Sequence, residues 1–78
     1  MIEILLFAEL SEKAETDRLL LAGEGKTVGE LKEMVAKEIP ALGSLEQIMV
    51  AINEEYANDH MTVKAGDVVA LIPPVSGG

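Results

Sequence analysis

Apolar and polar residues alternate from the first positions of the chain. Ile2, Ile4 and Leu6 fall on one side of an extended segment, and Glu3, Leu5 and Phe7 on the other. The spacing predicts a strand over residues 2–8, with Glu3 turning the second side toward solvent. Residues 9–14 have room for one helical turn. Residues 16–22, with three consecutive leucines, predict a second strand, and Gly23-Glu24-Gly25 breaks it as a turn. The period then changes from 2 to 3.6. Val28, Leu31, Val35 and Ile39 recur at helical spacing with Met34 beside them, and Thr27 and Glu30 form a T-x-x-E capping box ahead of the run. Glu33 and Lys37 make an i,i+4 pair on the opposite face. Pro40 ends the helix, because a residue before proline is pushed out of the α region.

Residues 41–47 read as a loop or short turn, and residues 48–52 (Ile-Met-Val-Ala-Ile) as a third strand. Asn53-Glu54-Glu55-Tyr56 reads as a connecting turn, with Asn53 suited to left-handed backbone angles. A short fourth strand is expected within residues 56–63. Lys64-Ala65-Gly66-Asp67 forms another turn, in which Gly66 can take a positive φ. Residues 68–72 (Val-Val-Ala-Leu-Ile) make the last strand. One helix cannot cover both faces of a sheet. The economical packing is an α+β roll: a mixed sheet of about five strands with one main helix across one face. The other face stays partly open to a partner, and Phe7 and Leu5 belong to it.

Composition narrows the chemistry. With no cysteine and a single histidine in 78 residues, the chain has no disulfide, no thiolate to hold a persulfide, and too few ligands for a structural zinc site. The core must carry a small domain alone, and 49% hydrophobic content makes that feasible. Fourteen acidic residues against six basic ones give a net charge of -8, which repels nucleic-acid phosphates and anionic lipids and favours a basic protein partner. There is no basic leader ahead of the short run Ile4–Ala8, and no apolar stretch of spanning length, so a cytoplasmic location is expected. His60, beside Asp59, lacks a second ligand set and reads as a surface-loop residue. Glu54 and Glu55, adjacent in a turn, point apart and read as solvated. Met34, Met49 and Met61 read as core or edge packing. Gly23-Glu24-Gly25 lacks the spacing and the Lys-Ser/Thr pair of a phosphate loop.

The end of the chain divides from the rest. Residues 1–72 read as the domain and 73–78 as an extended tail. From Val68 to Gly78 no side chain is charged, in a protein that is otherwise acidic. Pro73 and Pro74 each fix φ and lack an N–H, so strand pairing stops and the chain continues stiffly. Gly77 and Gly78, without Cβ atoms, fit a narrow channel and leave the terminal carbonyl open to attack from both sides. Those are the needs of a carboxylate that enters another enzyme's active site and is activated there.

Pro73-Pro74-Val75-Ser76-Gly77-Gly78, after the apolar strand Val68–Ile72, resembles the end of the small subunits of molybdopterin synthase. The resemblance extends over the chain, through Ile2–Ala8, Thr27-Val28-Gly29-Glu30-Leu31, Val50-Ala51-Ile52-Asn53 and Gly66–Ala70. It implies a ubiquitin-like β-grasp fold and a non-catalytic sulfur carrier that binds no cofactor of its own. A partner enzyme would adenylate Gly78 with ATP and magnesium, and a sulfur donor would convert the adenylate to a thiocarboxylate. The tail would then enter the large catalytic subunit and give its sulfur to cyclic pyranopterin monophosphate, forming the dithiolene of molybdopterin. Two small and two large subunits would assemble as a heterotetramer. The resemblance gives Phe7, Tyr56 and Ile72 as partner-facing residues, with Pro73, Pro74, Val75 and Ser76 following the tail into the partner. Tyr56 departs from the aliphatic residue common there, and Ser11–Asp17 lacks the glycine often found after the first short helix. The alternatives are a carrier serving thiazole synthesis or tRNA thiolation, and a β-grasp interaction module whose tail is never activated.

Overall fold

The computed structural model describes residues 1–74. Its elements run β1 (Ile2–Leu6), α1 (Glu9–Ala14), β2 (Arg18–Leu21), α2 (Val28–Glu38), a 3-10 turn (Pro40–Leu42), β3 (Met49–Ile52), β4 (Glu55–Ala57) and β5 (Val68–Ile72). The five strands form one sheet in the order β2-β1-β5-β3-β4. β1 and β5 pair in parallel at the centre, and the other pairs are antiparallel. This is the α+β roll that the element order predicted and the β-grasp that the resemblance implied: a mixed sheet wrapped around one main helix.

The alternation in β1 separates the two faces as expected. Ile2, Ile4 and Leu6 are buried, while Glu3 and Leu5 are half-buried on the reverse side. Val69 and Leu71 of β5 and Val50 of β3 join the buried side, where they meet Val28, Leu31 and Val35 of α2. Each such side chain contributes about 1.5–3 kcal/mol by leaving water. Gly23 makes this packing possible. A Cβ built there would lie 2.5 Å from the Leu31 Cδ1 methyl, so any larger residue would force the buried Leu31 side chain to shift.

The start of α2 is secured from two sides. Its first four N–H groups have no partners within the helix. The Glu30 N–H donates to Thr27 Oγ1 at 3.2 Å, and Glu30 Oε1 accepts from the Thr27 N–H at 2.9 Å, completing the capping box. The Val28 and Gly29 N–H groups donate to the carbonyls of Met61 and Asp59, at 2.8 and 3.0 Å, and the Leu31 N–H reaches the Thr27 carbonyl at 2.9 Å. The loop over residues 58–62 is thereby pinned to the helix. Lys32 adds a second tie. It is buried, with Nζ 3.0 Å from Asp59 Oδ1 and 3.3 Å from the Glu46 carbonyl. Its alkyl stem packs while its charge bridges two loops.

Several local expectations change. β1 ends at Leu6 rather than at residue 8, because Ala8 turns the chain with φ 52 and ψ -129. The turn after β3 is two residues, Asn53-Glu54. The fourth strand therefore begins at Glu55 instead of lying within residues 56–63, and beyond Ala57 only Thr62 forms an isolated bridge, with Thr27. Met34 packs against the core, but Met49 and Met61 are exposed. Glu33 and Lys37 share the exposed side of α2 without forming an ion pair.

Replacing Thr27 by Ala removes one half of the capping box. The expected loss is about 1 kcal/mol, seen as a lower urea midpoint at unchanged slope, with Thr27→Ser close to wild type.

Candidate functional site

Parallel pairing sends β5 out beside the end of β1. The register Leu6↔Leu71 and Met49↔Ile72 sets Phe7, Ile72 and Met49 in one row where the tail leaves the sheet. Pro73 is buried at that point and Pro74 is exposed. The expectations for Val75, Ser76, Gly77 and Gly78 lie outside the described residues.

The row belongs to the side of the sheet away from α2. The next row contains Leu5, Ala70, Ala51 and Tyr56, and the third contains Glu3 and Val68, with Leu20 opposite Glu3. This open face carries four large exposed apolar side chains: Phe7 at 45% exposure, Met49 at 46%, Leu20 at 52% and Tyr56 at 71%. These side chains form an apolar patch beside the point where the uncharged tail leaves the sheet. Phe7 lies on this face, as the strand period predicts, and Tyr56 and Ile72 lie on it too. Met49 and Leu20 extend it, and sequence reasoning missed both. The strand period places Met49 opposite Val50, but only the pairing with Ile72 shows that it faces the open side.

Small residues shape the surface. Ala70 and Val68 floor a shallow trough walled by Leu5 and Phe7 and closed at its far end by Asn53 and Glu54. The backbone at both ends is unusual. Phe7 is the first residue of a tight turn closed by the Leu10 N–H to the Phe7 carbonyl at 3.0 Å, with Ala8 in the positive-φ position that such a turn normally gives to glycine. Asn53 and Glu54 also have positive φ, 50 and 70. Charge is sparse on this face: Arg18 Nε lies 3.5 Å from Glu3 Oε2, an exposed pair of small energetic weight.

The start of β5 is locked by a side-chain clasp. Asn53 accepts from the Val68 N–H through Oδ1 at 3.0 Å, its own N–H donates to the Val68 carbonyl at 2.8 Å, and Nδ2 donates to Asp67 Oδ1 at 3.1 Å. Asp67 Oδ2 accepts from the Lys64 N–H at 2.8 Å, and Gly66 supplies the turn at φ 87. The Lys64 N–H, then the Asn53 amide, hold the Asp67 carboxyl below its ordinary 3.8. His60, Glu54 and Glu55 are exposed, as expected. No group of three or more metal-ligating side chains is found among the described residues, and no helix among them is long and apolar enough to cross a membrane.

The profile of the ThiS family matches residues 4–78. The molybdopterin synthase sulfur carrier subunit of Chlamydomonas reinhardtii is 37% identical, over 99% of this chain and 98% of that protein. The crystal structure of small archaeal modifier protein 1 from Haloferax volcanii is similar with a TM-score of 0.80 at 36% identity, covering 99% of this chain and 98% of that one. A chain in the complex of subunits 1 and 2 of the molybdopterin-converting factor from Helicobacter pylori is similar with a TM-score of 0.65 at 26% identity, covering 99% and 97%.

The clasp makes stability depend on acid. Because the folded Asp67 carboxyl titrates below the unfolded one, its contribution is complete above the unfolded value and is lost as pH falls through the folded one. Urea titrations between about pH 5 and about pH 2 are expected to show wild type weakening more steeply than Asp67→Asn.

Proposed function

The chain belongs to the ThiS family and is related over its length to molybdopterin synthase sulfur carrier subunits, and from that premise we propose that it carries sulfur on its terminal glycine for the synthesis of molybdopterin. The observation that carries the reading is the convergence of three features at one end of the sheet: the parallel exit of β5, the uncharged Pro-Pro…Gly-Gly tail, and the apolar row Phe7, Ile72 and Met49 around its root.

The steps follow from the chemistry of a carboxylate. The oxygen of Gly78 attacks the α-phosphorus of magnesium-bound ATP in an adenylating enzyme, and pyrophosphate leaves. A sulfur nucleophile from a donor then displaces AMP, leaving a thiocarboxylate. In the large subunit this sulfur replaces an oxygen on a carbon of cyclic pyranopterin monophosphate, the carbon–oxygen bond breaking so that the oxygen leaves as water or with the phosphate, and the transfer returns a carboxylate once water cuts the acyl–sulfur bond. A dithiolene has two sulfurs, so two charged carriers are consumed for each product, which accords with a tetramer of two small and two large subunits. Gly77 gives passage through the channel. Phe7, Tyr56 and Ile72, with Pro73, Pro74, Val75 and Ser76, guide docking, and Met49 joins them. The carrier itself supplies no acid, base or metal to the reaction.

A second reading has support in the likeness to a small archaeal modifier protein at 36% identity. The same adenylate, taken by a lysine amine, would join Gly78 to a protein by an amide bond.

Incubation with the adenylating enzyme, ATP and a sulfur donor separates these outcomes by intact mass. Replacement of one oxygen by sulfur at Gly78 is expected, and it should vanish when Gly78 is deleted while the fold persists. A conjugate stable to reductant would favour the modifier, and an unchanged mass with a competent enzyme would leave only a passive module. Phe7→Asp is expected to weaken large-subunit binding by at least tenfold, about 1.4 kcal/mol, with little change in melting temperature. A large drop in melting temperature at unaltered affinity would place Phe7 in the core instead.

A further inference from the structure

The trough on the open face has one charged residue in its lining, and its place there is unfavourable for the free chain. Leu5, Phe7, Val68 and Ala70 are apolar, Asn53 is neutral, and Glu54 closes the end farthest from the tail. From Val68 to Ile72 the strand spans roughly 13 Å, which sets the distance between the two ends.

Glu54 is the second residue of the two-residue hairpin loop closed by Ile52↔Glu55. Its φ of 70, after 50 at Asn53, is the geometry in which asparagine followed by glycine is preferred. Asn53 justifies its position, since every polar group of its side chain bonds within the clasp. Glu54 does not. Its carboxylate forms neither a hydrogen bond nor an ion pair among the described residues. A non-glycine side chain is thus held in a disfavoured conformation without local return, at the rim of the surface that docks a partner. Such uncompensated strain concentrates where binding uses it.

The neighbouring charges fix the sign of the ligand. Glu3 lies 3.5 Å from Arg18 Nε, and Asp67 is engaged by the Lys64 N–H and Asn53. Lys64 lines a separate hollow with Ile52, Glu55 and Met61 and does not line the trough. The trough therefore presents hydrophobic walls ending in one negative group, on a chain of net charge -8.

We infer that Glu54 is a specificity-determining residue, which pairs with an arginine or lysine side chain of the large subunit lying along the trough toward the tail exit. The inference rests on the docking role proposed above for the open face. Pairing at this far end would fix the angle at which the large subunit meets the sheet, so that the tail, leaving at the Phe7 end, is aimed into its cleft. Apolar contacts alone are less directional.

Three variants of the full chain separate charge from backbone. Glu54→Gly removes both the charge and the strain, Glu54→Gln removes only the charge, and Glu54→Lys reverses it. Association with the purified large subunit is followed by stopped flow at low and high salt, with melting temperatures measured alongside. Gly and Gln are expected to weaken binding about three- to tenfold at low salt, mainly through the association rate, and Lys more. The difference from wild type should shrink as salt rises. Glu54→Gly should also melt about 2–5 °C higher, whereas Glu54→Gln should melt like wild type. Wild-type affinity in Gly and Gln would overturn the inference and leave the docking role intact. Weakened binding in Gly but not in Gln would also overturn it, by assigning the effect to the turn. Failure of wild type itself to bind the large subunit would remove the docking role and this inference together.

Discussion

The parallel pairing of the first and last strands governs the molecule. Two strands that run the same way cannot be joined by a hairpin, so the chain between them must cross the sheet. Here β2 returns antiparallel along the outer edge of β1, α2 crosses the buried face, and β3 and β4 complete the far side before β5 enters the middle. The last strand thus lies between β1 and β3 and is paired on both sides up to its end. A tail that must be presented to other proteins gains a fixed origin. Direction follows as well, because β5 can leave only beside Phe7.

The helix covers one face and leaves the other open, and this division explains how charge and strain are distributed. The buried side relies on aliphatic side chains, on loop carbonyls that complete the cap of α2, and on Lys32, whose ammonium draws Asp59 and Glu46 together. Without disulfide or metal, a domain of this size depends on such ties for cooperativity. The open side has small residues at its centre and large apolar ones around them. Small centres permit a partner's backbone to approach closely, and the aromatic and methionine side chains around them can adapt to its shape.

Much of this was legible in the sequence because it is encoded locally. The alternation in Ile2–Leu6 fixes both faces of β1, and Thr27 with Glu30 fixes the start of α2 to the residue. Phe7 was placed on the open face by the period of two alone. What escaped detection depends on residues distant in the chain. Lys32 reads as a surface residue of an amphipathic helix until Asp59 and the Glu46 carbonyl fold over it. Met49 and Leu20 look like core residues until strand pairing shows which side they face. The bounds of β4, though not its existence, escaped the sequence, because three residues are too few for their own pattern to fix them. The strand is held by its register with β3, after a hairpin loop that lacks the usual glycine.

The two ends of the trough share a physical logic. At one end Ala8 occupies a turn position that favours glycine, and at the other Glu54 does the same. A glycine at position 8 would relax the backbone, but it would also widen the range of conformations open to the turn that begins at Phe7. An alanine there holds the end of β1 in one geometry at the expense of about 1–3 kcal/mol of strain. The remaining core must supply that energy, which is why the buried side is packed and capped so completely. A carrier that performs no chemistry acts by position alone, and for such a protein the geometry of the sheet end from which the tail leaves has first claim on the stability of the fold.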